Sequence, residues 1–189
     1  MTPLALTPPV IEPVSLVEAK DFLRIVNDDE DELLGTLITA ARLMIEAASG
    51  RLLIEQDWRI VLDAWPQGGE IRLPLSPVRN LTAARVHPAS GAVEPVVPSA
   101  LTLVAGSDPP LIRIAGPVPA PGRARAAIEI DLVAGFGATR DMVPAPLRQA
   151  VVRLACRWFE HRGDVVSRDA ARLTAEIAAL VAPFRRVRL

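Results

Sequence analysis

With 189 residues, 50% hydrophobic and 23% charged, the chain is long enough for one domain carrying a small inserted lobe, and its mean hydropathy of +0.29 excludes disorder along its whole length. No run approaches the roughly 20 apolar residues that span a bilayer, and residues 1–13 carry four prolines and no basic segment, so a soluble chain of intracellular type is expected. The net charge of −1 conceals a polarity, because residues 1–139 hold 17 acids and 11 bases whereas residues 140–189 hold five acids and ten bases.

Such a chain can pack head to tail with copies of itself or offer its basic end to an acidic partner, and solvated helix faces account for the same counts equally well. Lys20 is the only lysine beside 20 arginines, a compositional bias shared with the 18 prolines, and no function is read into it.

Residues 1–14 read as a flexible start. The first helix begins at Ser15, where Ser15 and Glu18 form a capping box, and Leu16, Ala19, Phe22 and Leu23 share a face to about Ile25. Asn27, Asp28 and Asp29 break it and cap a second helix of about Glu30 to Ala48, striped by Leu33, Leu34, Leu37, Ile38, Ala41, Ile45 and Ala48 and closed by Gly50. From Asp57 the period falls to two, with Trp58, Ile60 and Leu62 alternating against polar neighbours. Further strands are expected at Ile71–Leu73, Leu81–Val86, Leu101–Val104, Leu111–Ile114 and Ala127–Val133, separated by breaks rich in Gly and Pro. They make a small, mostly antiparallel β lobe of five to seven strands over about residues 55–137.

Helix returns after Pro144 and Pro146, with Leu147, Val151, Leu154, Ala155 and Trp158 as the apolar stripe to about residue 163. A last helix is expected from about Arg168 to Ala182, with Leu173, Ile177, Leu180 and Val181 on one face, before Pro183 breaks the period. The fold class is therefore α+β: two N-terminal and two C-terminal helices frame an inserted β lobe. The domain boundaries are a start at 1–14, a body at 15–164, and a C-terminal helix with a basic tail at 165–189.

Catalytic and ligand signatures are missing. Two histidines, His87 and His161, and one cysteine, Cys156, cannot build an all-His/Cys zinc site, and no metal-ligand spacing occurs. Cys156 and His161 lie five apart on one helix and point in different directions, so Cys156 reads as a buried small hydrophobe. Gly135-Phe136-Gly137-Ala138-Thr139-Arg140 follows a strand but lacks the third glycine, and Pro144 separates it from the next helix. It reads as a tight connection rather than a dinucleotide loop. The acidic run Asp28 to Glu32 lacks the spaced ligands and central glycine of a calcium loop. Catalytic, cofactor and metal residues are accordingly assigned as none. The basic terminus carries Arg168, Arg172, Arg185, Arg186 and Arg188, but a pI of 6.1, no Tyr and only Phe184 nearby argue against tight DNA binding. Phe184, Val187 and Leu189 interleaved with arginines suit a peptide arm that docks on protein, or else a frayed terminus.

The order of segments resembles a known family. Ser15 to Arg24, the acids Asp28 to Glu32, then Ala40-Ala41-Arg42, Ile45-Glu46 and Ser49-Gly50-Arg51 are similar to the N-terminal helix pair of phage head–tail connector (adaptor) proteins. Gln56-Asp57-Trp58, Leu73 to Val78, Val133 to Gly137, Val143 to Leu147 and Trp158 to Arg162 follow in that family's order, so the resemblance covers about residues 15–164. Connectors of long-tailed phages and of alphaproteobacterial gene transfer agents are closest in character. The resemblance implies a structural subunit, not an enzyme, in a twelve-membered ring beneath the portal of a DNA-filled capsid, assembled in the bacterial cytoplasm. The implied partners are copies of itself, the portal protein, and a stopper or tail-terminator protein, with DNA only in transit and no membrane.

It further implies portal docking by the C-terminal segment, for which the candidates are Arg168, Arg172, Leu173, Ile177, Leu180, Phe184, Arg185, Arg186, Val187, Arg188 and Leu189. Two other functions compete: a nucleic-acid-binding module using the Arg-rich last third, and a small enzyme working with carboxylates and arginine alone.

Overall fold

The structure is a computed structural model that describes residues 1–89, 91–161 and 173–185. Contacts divide the chain into a β unit, Met1–Val10 with Glu55–Gly135, and a helical unit, Ile11–Ile54 with the chain from Phe136 onward. The lobe is thus an insertion between helices, as the change of hydrophobic period requires.

In the β unit, a five-stranded antiparallel sheet has the order β1-β2-β8-β4-β5 and a three-stranded antiparallel sheet the order β3-β7-β6. The strands are β1 (Thr2–Ala5), β2 (Gln56–Leu62), β3 (Glu70–Arg72), β4 (Val78–Val86), β5 (Glu94–Pro95), β6 (Leu101–Val104), β7 (Leu111–Ile114) and β8 (Ile128–Ala134). Central β8 carries the strict alternation seen in the sequence: Ile128, Ile130, Leu132 and Ala134 are buried, and Ile130 stands opposite Ile60 on β2 and Ala84 on β4. Two short strands exceed the expected set, β1 and β5.

Within the flexible start expected at residues 1–14, Thr2–Ala5 form β1, which pairs with Trp58–Val61. Leu6 N donates to Asp57 O at 2.9 Å, so the two-residue alternation of the ladder turns the backbone groups of Pro3 and Ala5 outward. Pro3, which has no N–H, therefore removes a donor only from the open edge, where it also discourages stray pairing. That edge logic is why the strand is compatible with a proline-rich start.

In the helical unit, α1 (Leu16–Leu23) is opened by the expected capping box: Ser15 Oγ accepts from Glu18 N at 3.1 Å and Glu18 Oε2 accepts from Ser15 N at 2.7 Å, a motif worth about 1 kcal/mol. Arg24 in the left-handed region ends it. Phe22 departs from the expected stripe and is 51% exposed. The acids before α2 (Asp31–Ser49) do not cap it through their side chains, since Glu30 sits at the N-cap. Asp28 and Asp31 instead share the Lys20 ammonium, and those hydrogen bonds raise the Lys20 pKa.

α3 (Ala145–Glu160) follows a 3-10 turn at Arg140–Met142, and the Gly135–Arg140 stretch is a tight connection directly after β8 in which Gly137 bridges to Ile54. Leu34, Ile38, Ala41 and Ile45 of α2 and Leu147, Ala150, Val151, Leu154 and Ala155 of α3 form one buried cluster with Leu53, Ile54 and Phe159. Each large member contributes about 1.5–3 kcal/mol of burial. Cys156 lies in this cluster with its Sγ 3.8 Å from Ala19 O, as a small hydrophobe.

α4 is shorter than expected, Ala175–Val181, with Thr174 as its N-cap. The Thr174 hydroxyl accepts from Ile177 N at 3.3 Å, and an extended backbone at Thr174 stops a helix from running through from Leu173. Residues 168–172 of the expected helix lie outside the described residues. No helix among the described residues is long and apolar enough to cross a membrane.

Candidate functional site

The surfaces that could join this chain to others follow from where its charges go, and most go to each other. In the helical unit, the Arg148 guanidinium pairs with Glu18 and lies 3.5 Å from Asp141, and Arg153 pairs with Glu176, fastening α3 to α1 and α4. Burial raises the Glu18 pKa, but hydrogen bonds from Ser15 and the Arg148 charge outweigh it and leave the pKa below its ordinary value. Arg42, 5% exposed, donates to Glu12 at 2.8 Å and to Glu46 at 2.9 Å. α3 is therefore less of a free basic face than its sequence suggests.

Carboxylates without a side-chain partner occur at the corner between α1 and α2. Asp21 and Glu32 are exposed with no side-chain partner among the described residues. Between them lie Phe22, 51% exposed, Val26, 98% exposed, and the exposed cation Arg24, while Asp28 and Asp29 are engaged by Lys20 and Asn27. Exposed apolar side chains and carboxylates thus follow one another along this turn.

In the β unit a ladder of ion pairs covers one sheet face. Arg59 on β2 grips Asp131 on β8 with two bonds, 2.6 and 3.1 Å, and Arg85 on β4 donates to Glu129 at 2.7 Å and also reaches Asp131. His87 Nε2 closes the ladder 3.2 Å from Glu129 Oε1. Burial raises both carboxyl pKa values, yet hydrogen bonds from the facing arginines (and from His87 to Glu129) with their charge hold both below the ordinary range.

Elsewhere in this unit the loop 116–126 is fixed at three points. Trp65 Nε1 donates to Pro119 O at 2.9 Å, Gly122 N to His87 O at 2.9 Å, and Ala126 N to Asp63 Oδ1 at 2.8 Å. Arg123 and Arg125 project from it, exposed and without a partner among the described residues. No group of three or more His, Cys, Asp and Glu that could hold a metal ion occurs among the described residues.

These surfaces belong to a recognisable molecule. The family described as phage gp6-like head–tail connector protein matches residues 13–79. A chain in the neck of an empty GTA particle computed with C6 symmetry is 31% identical with a TM-score of 0.84, the match covering 100% of this chain and 97% of that one. This chain belongs to the phage head–tail connector family. Chains of the virion of a native gene transfer agent particle and of a native GTA neck computed with C12 symmetry match with TM-scores of 0.83 and 0.82, again at 31% identity, 100% and 97% coverage. Comparison with curated protein sequences gives no match.

In this connector, the sequence-derived docking residues separate into three groups. Ile177 is 3% exposed and belongs to the core with Val181, and Leu173, Leu180 and Phe184 pack half-buried against the same cluster, so these four apolar side chains hold the connector's own fold. Phe184 is held further by its carbonyl, which accepts from Arg51 Nε at 3.0 Å. Arg185 is exposed. Arg168, Arg172, Arg186, Val187, Arg188 and Leu189 lie outside the described residues. The apolar face of α4 was read as available because its 3.6-residue period shows that a face is buried, not against what. The pinned loop at 116–126 was missed, and its only sequence signal is the pair Arg123 and Arg125 directly after a proline-rich turn.

Proposed function

We propose that this connector is the subunit of a ring of twelve copies that sits between the portal and a stopper or tail-terminator protein, lets DNA pass through its bore and catalyses no reaction. The observation that carries the reading is likeness over the whole chain to a chain in a native GTA neck computed with C12 symmetry. A ring needs heterologous contacts, in which one surface of a subunit meets a different surface of the next. A chain with net charge −1 also suits a channel that DNA must traverse without sticking.

Docking to the portal is assigned to the basic end beyond α4, Arg185 to Leu189, with Arg168 and Arg172 as further contacts. Electron microscopy of the purified chain mixed with its portal tests this: one annular layer per portal is expected, and portals that stay bare would overturn it. Removing Arg185–Leu189 should leave the melting temperature unchanged and abolish portal attachment. A longer cut from Pro183 should lower it as well, because Phe184 and its bond to Arg51 go too. The competing nucleic-acid reading of the Arg-rich third predicts a gel shift with duplex DNA that collapses as salt is raised, whereas the ring reading predicts no shift by the free chain.

A further inference from the structure

We infer that, within the ring proposed above, successive copies are registered by the loop 116–126 of one copy seating on the α1–α2 corner of the next. The loop is built for presentation. Three hydrogen bonds fix it to Trp65, His87 and Asp63, and Gly122 runs so close to the His87–Ala89 segment that a Cβ there would fall 1.8 Å from Ala89 N. Ala126 is held at φ 50°, a left-handed conformation that costs an alanine about 1 kcal/mol. This fixed loop displays exposed Pro117 and Ala120 beside Arg123 and Arg125, two cations with nothing to meet in their own chain among the described residues.

The corner supplies apolar side chains and two unpaired carboxylates, Asp21 and Glu32, beside the exposed Arg24. Phe22 and Val26 offer apolar area to the proline-rich turn, and Asp21 and Glu32, themselves unpartnered among the described residues, offer carboxylates to the two guanidinium groups. Every copy carries one loop and one corner, and the two are different surfaces, as closure of a ring demands. A loop already ordered loses little entropy on docking. A standard interface buries roughly 800 Å² per partner, so one loop sets register and direction within a larger surface. A second copy is favoured over DNA because the loop sets its cations among exposed apolar residues, and every copy carries unpaired carboxylates beside exposed Phe22 and Val26 to receive them.

The test uses the full chain with its portal and reads the fraction of portals carrying a complete ring. The variants are Arg123→Glu with Arg125→Glu, Asp21→Arg with Glu32→Arg, and all four together, each confirmed folded by its melting temperature. Either reversed pair should lower ring occupancy about tenfold or more, because like charges now face each other, and the fourfold variant should recover to within about threefold of wild type. If a reversed variant does not fold, the charge-neutral pairs Arg123→Gln with Arg125→Gln, and Asp21→Asn with Glu32→Gln, replace it and should each lower occupancy. Rings formed at wild-type level by folded single-side variants would overturn this contact alone, as would a fourfold variant that folds and does not recover. Wild-type chain that leaves portals bare would overturn the ring reading and this contact with it. Variants that keep their rings but lose retention of duplex DNA would overturn it in favour of a nucleic-acid contact.

Discussion

Glu46 and Leu53 are joined across the end of α2: the Leu53 N–H donates to Glu46 Oε1 at 2.8 Å, while Glu46 Oε2 takes the Arg42 guanidinium at 2.9 Å. One carboxylate, 8% exposed, thus anchors both a helix and the chain that leaves it toward the β unit. Burial pushes the Glu46 pKa up, and the bonds from Leu53 and Arg42 offset that only in part.

Substituting Glu46→Ala leaves the Leu53 N–H without its acceptor and Arg42 with Glu12 alone, so a loss of about 3 kcal/mol is expected. Glu46→Gln should cost less, since its amide oxygen can still accept from Leu53. Urea unfolding followed by circular dichroism measures both, and equal losses would show that the charge, not the backbone bond, is what counts.

The ladder of Arg59, Arg85, His87, Glu129 and Asp131 predicts acid sensitivity. Both carboxyl pKa values lie below their ordinary values of 4.5 and 3.8 in the folded chain, so the unfolded chain binds protons first as pH falls. The stabilisation is complete above those ordinary values and is lost as pH drops through the lower folded ones. Melting temperature against pH should therefore fall steeply below about pH 4. Asp131→Asn should show a lower melting temperature at neutral pH and a shallower acid limb, and an unchanged acid limb would show that the ladder contributes nothing.

Much of this fold was legible because its periodicities are clean. The alternation of Ile128, Ile130 and Leu132 marked β8, and the Ser15–Glu18 box marked the start of α1, because each depends on neighbours in sequence. β1 was illegible because a proline-rich strand forms only where Trp58–Val61 supplies the other half of the ladder. Ser15 could be read as a cap from its spacing, whereas the role of Asp28 depends on Lys20, eight residues earlier. The family's order of motifs was readable, but the assembly surfaces were not. Whether Ile177 faces its own core or a partner, and whether Arg123 has a carboxylate to meet, are decided by packing that no local pattern encodes.

Gly122→Ala should be costly and Gly68→Ala nearly neutral. At Gly122 the added methyl meets backbone atoms of Pro88 and Ala89 that cannot rotate away, while nothing lies within 4 Å of the same methyl at Gly68. A destabilisation of about 1–3 kcal/mol is expected for the first and less than about 0.5 kcal/mol for the second. Equal midpoints in chemical denaturation would mean that the 87–89 segment yields freely.

Cys156 should resist thiol reagents until the helical unit opens. Burial, with a smaller push from the Glu160 charge, raises its thiol pKa to about 11, and the side chain is 1% exposed. At pH 8 the thiolate fraction is then about one in a thousand, against about a quarter for an ordinary cysteine of pKa 8.5. Reaction with a disulfide reagent at pH 8 should run at least about 100-fold slower than in denaturant, and adding urea through the unfolding midpoint should release it fully. Cys156→Ala should fold normally with a loss of about 1 kcal/mol, the cost of one small atom's worth of cavity. Rapid labelling of the folded chain would mean that α3 parts from Ala19 far more often than its packing implies.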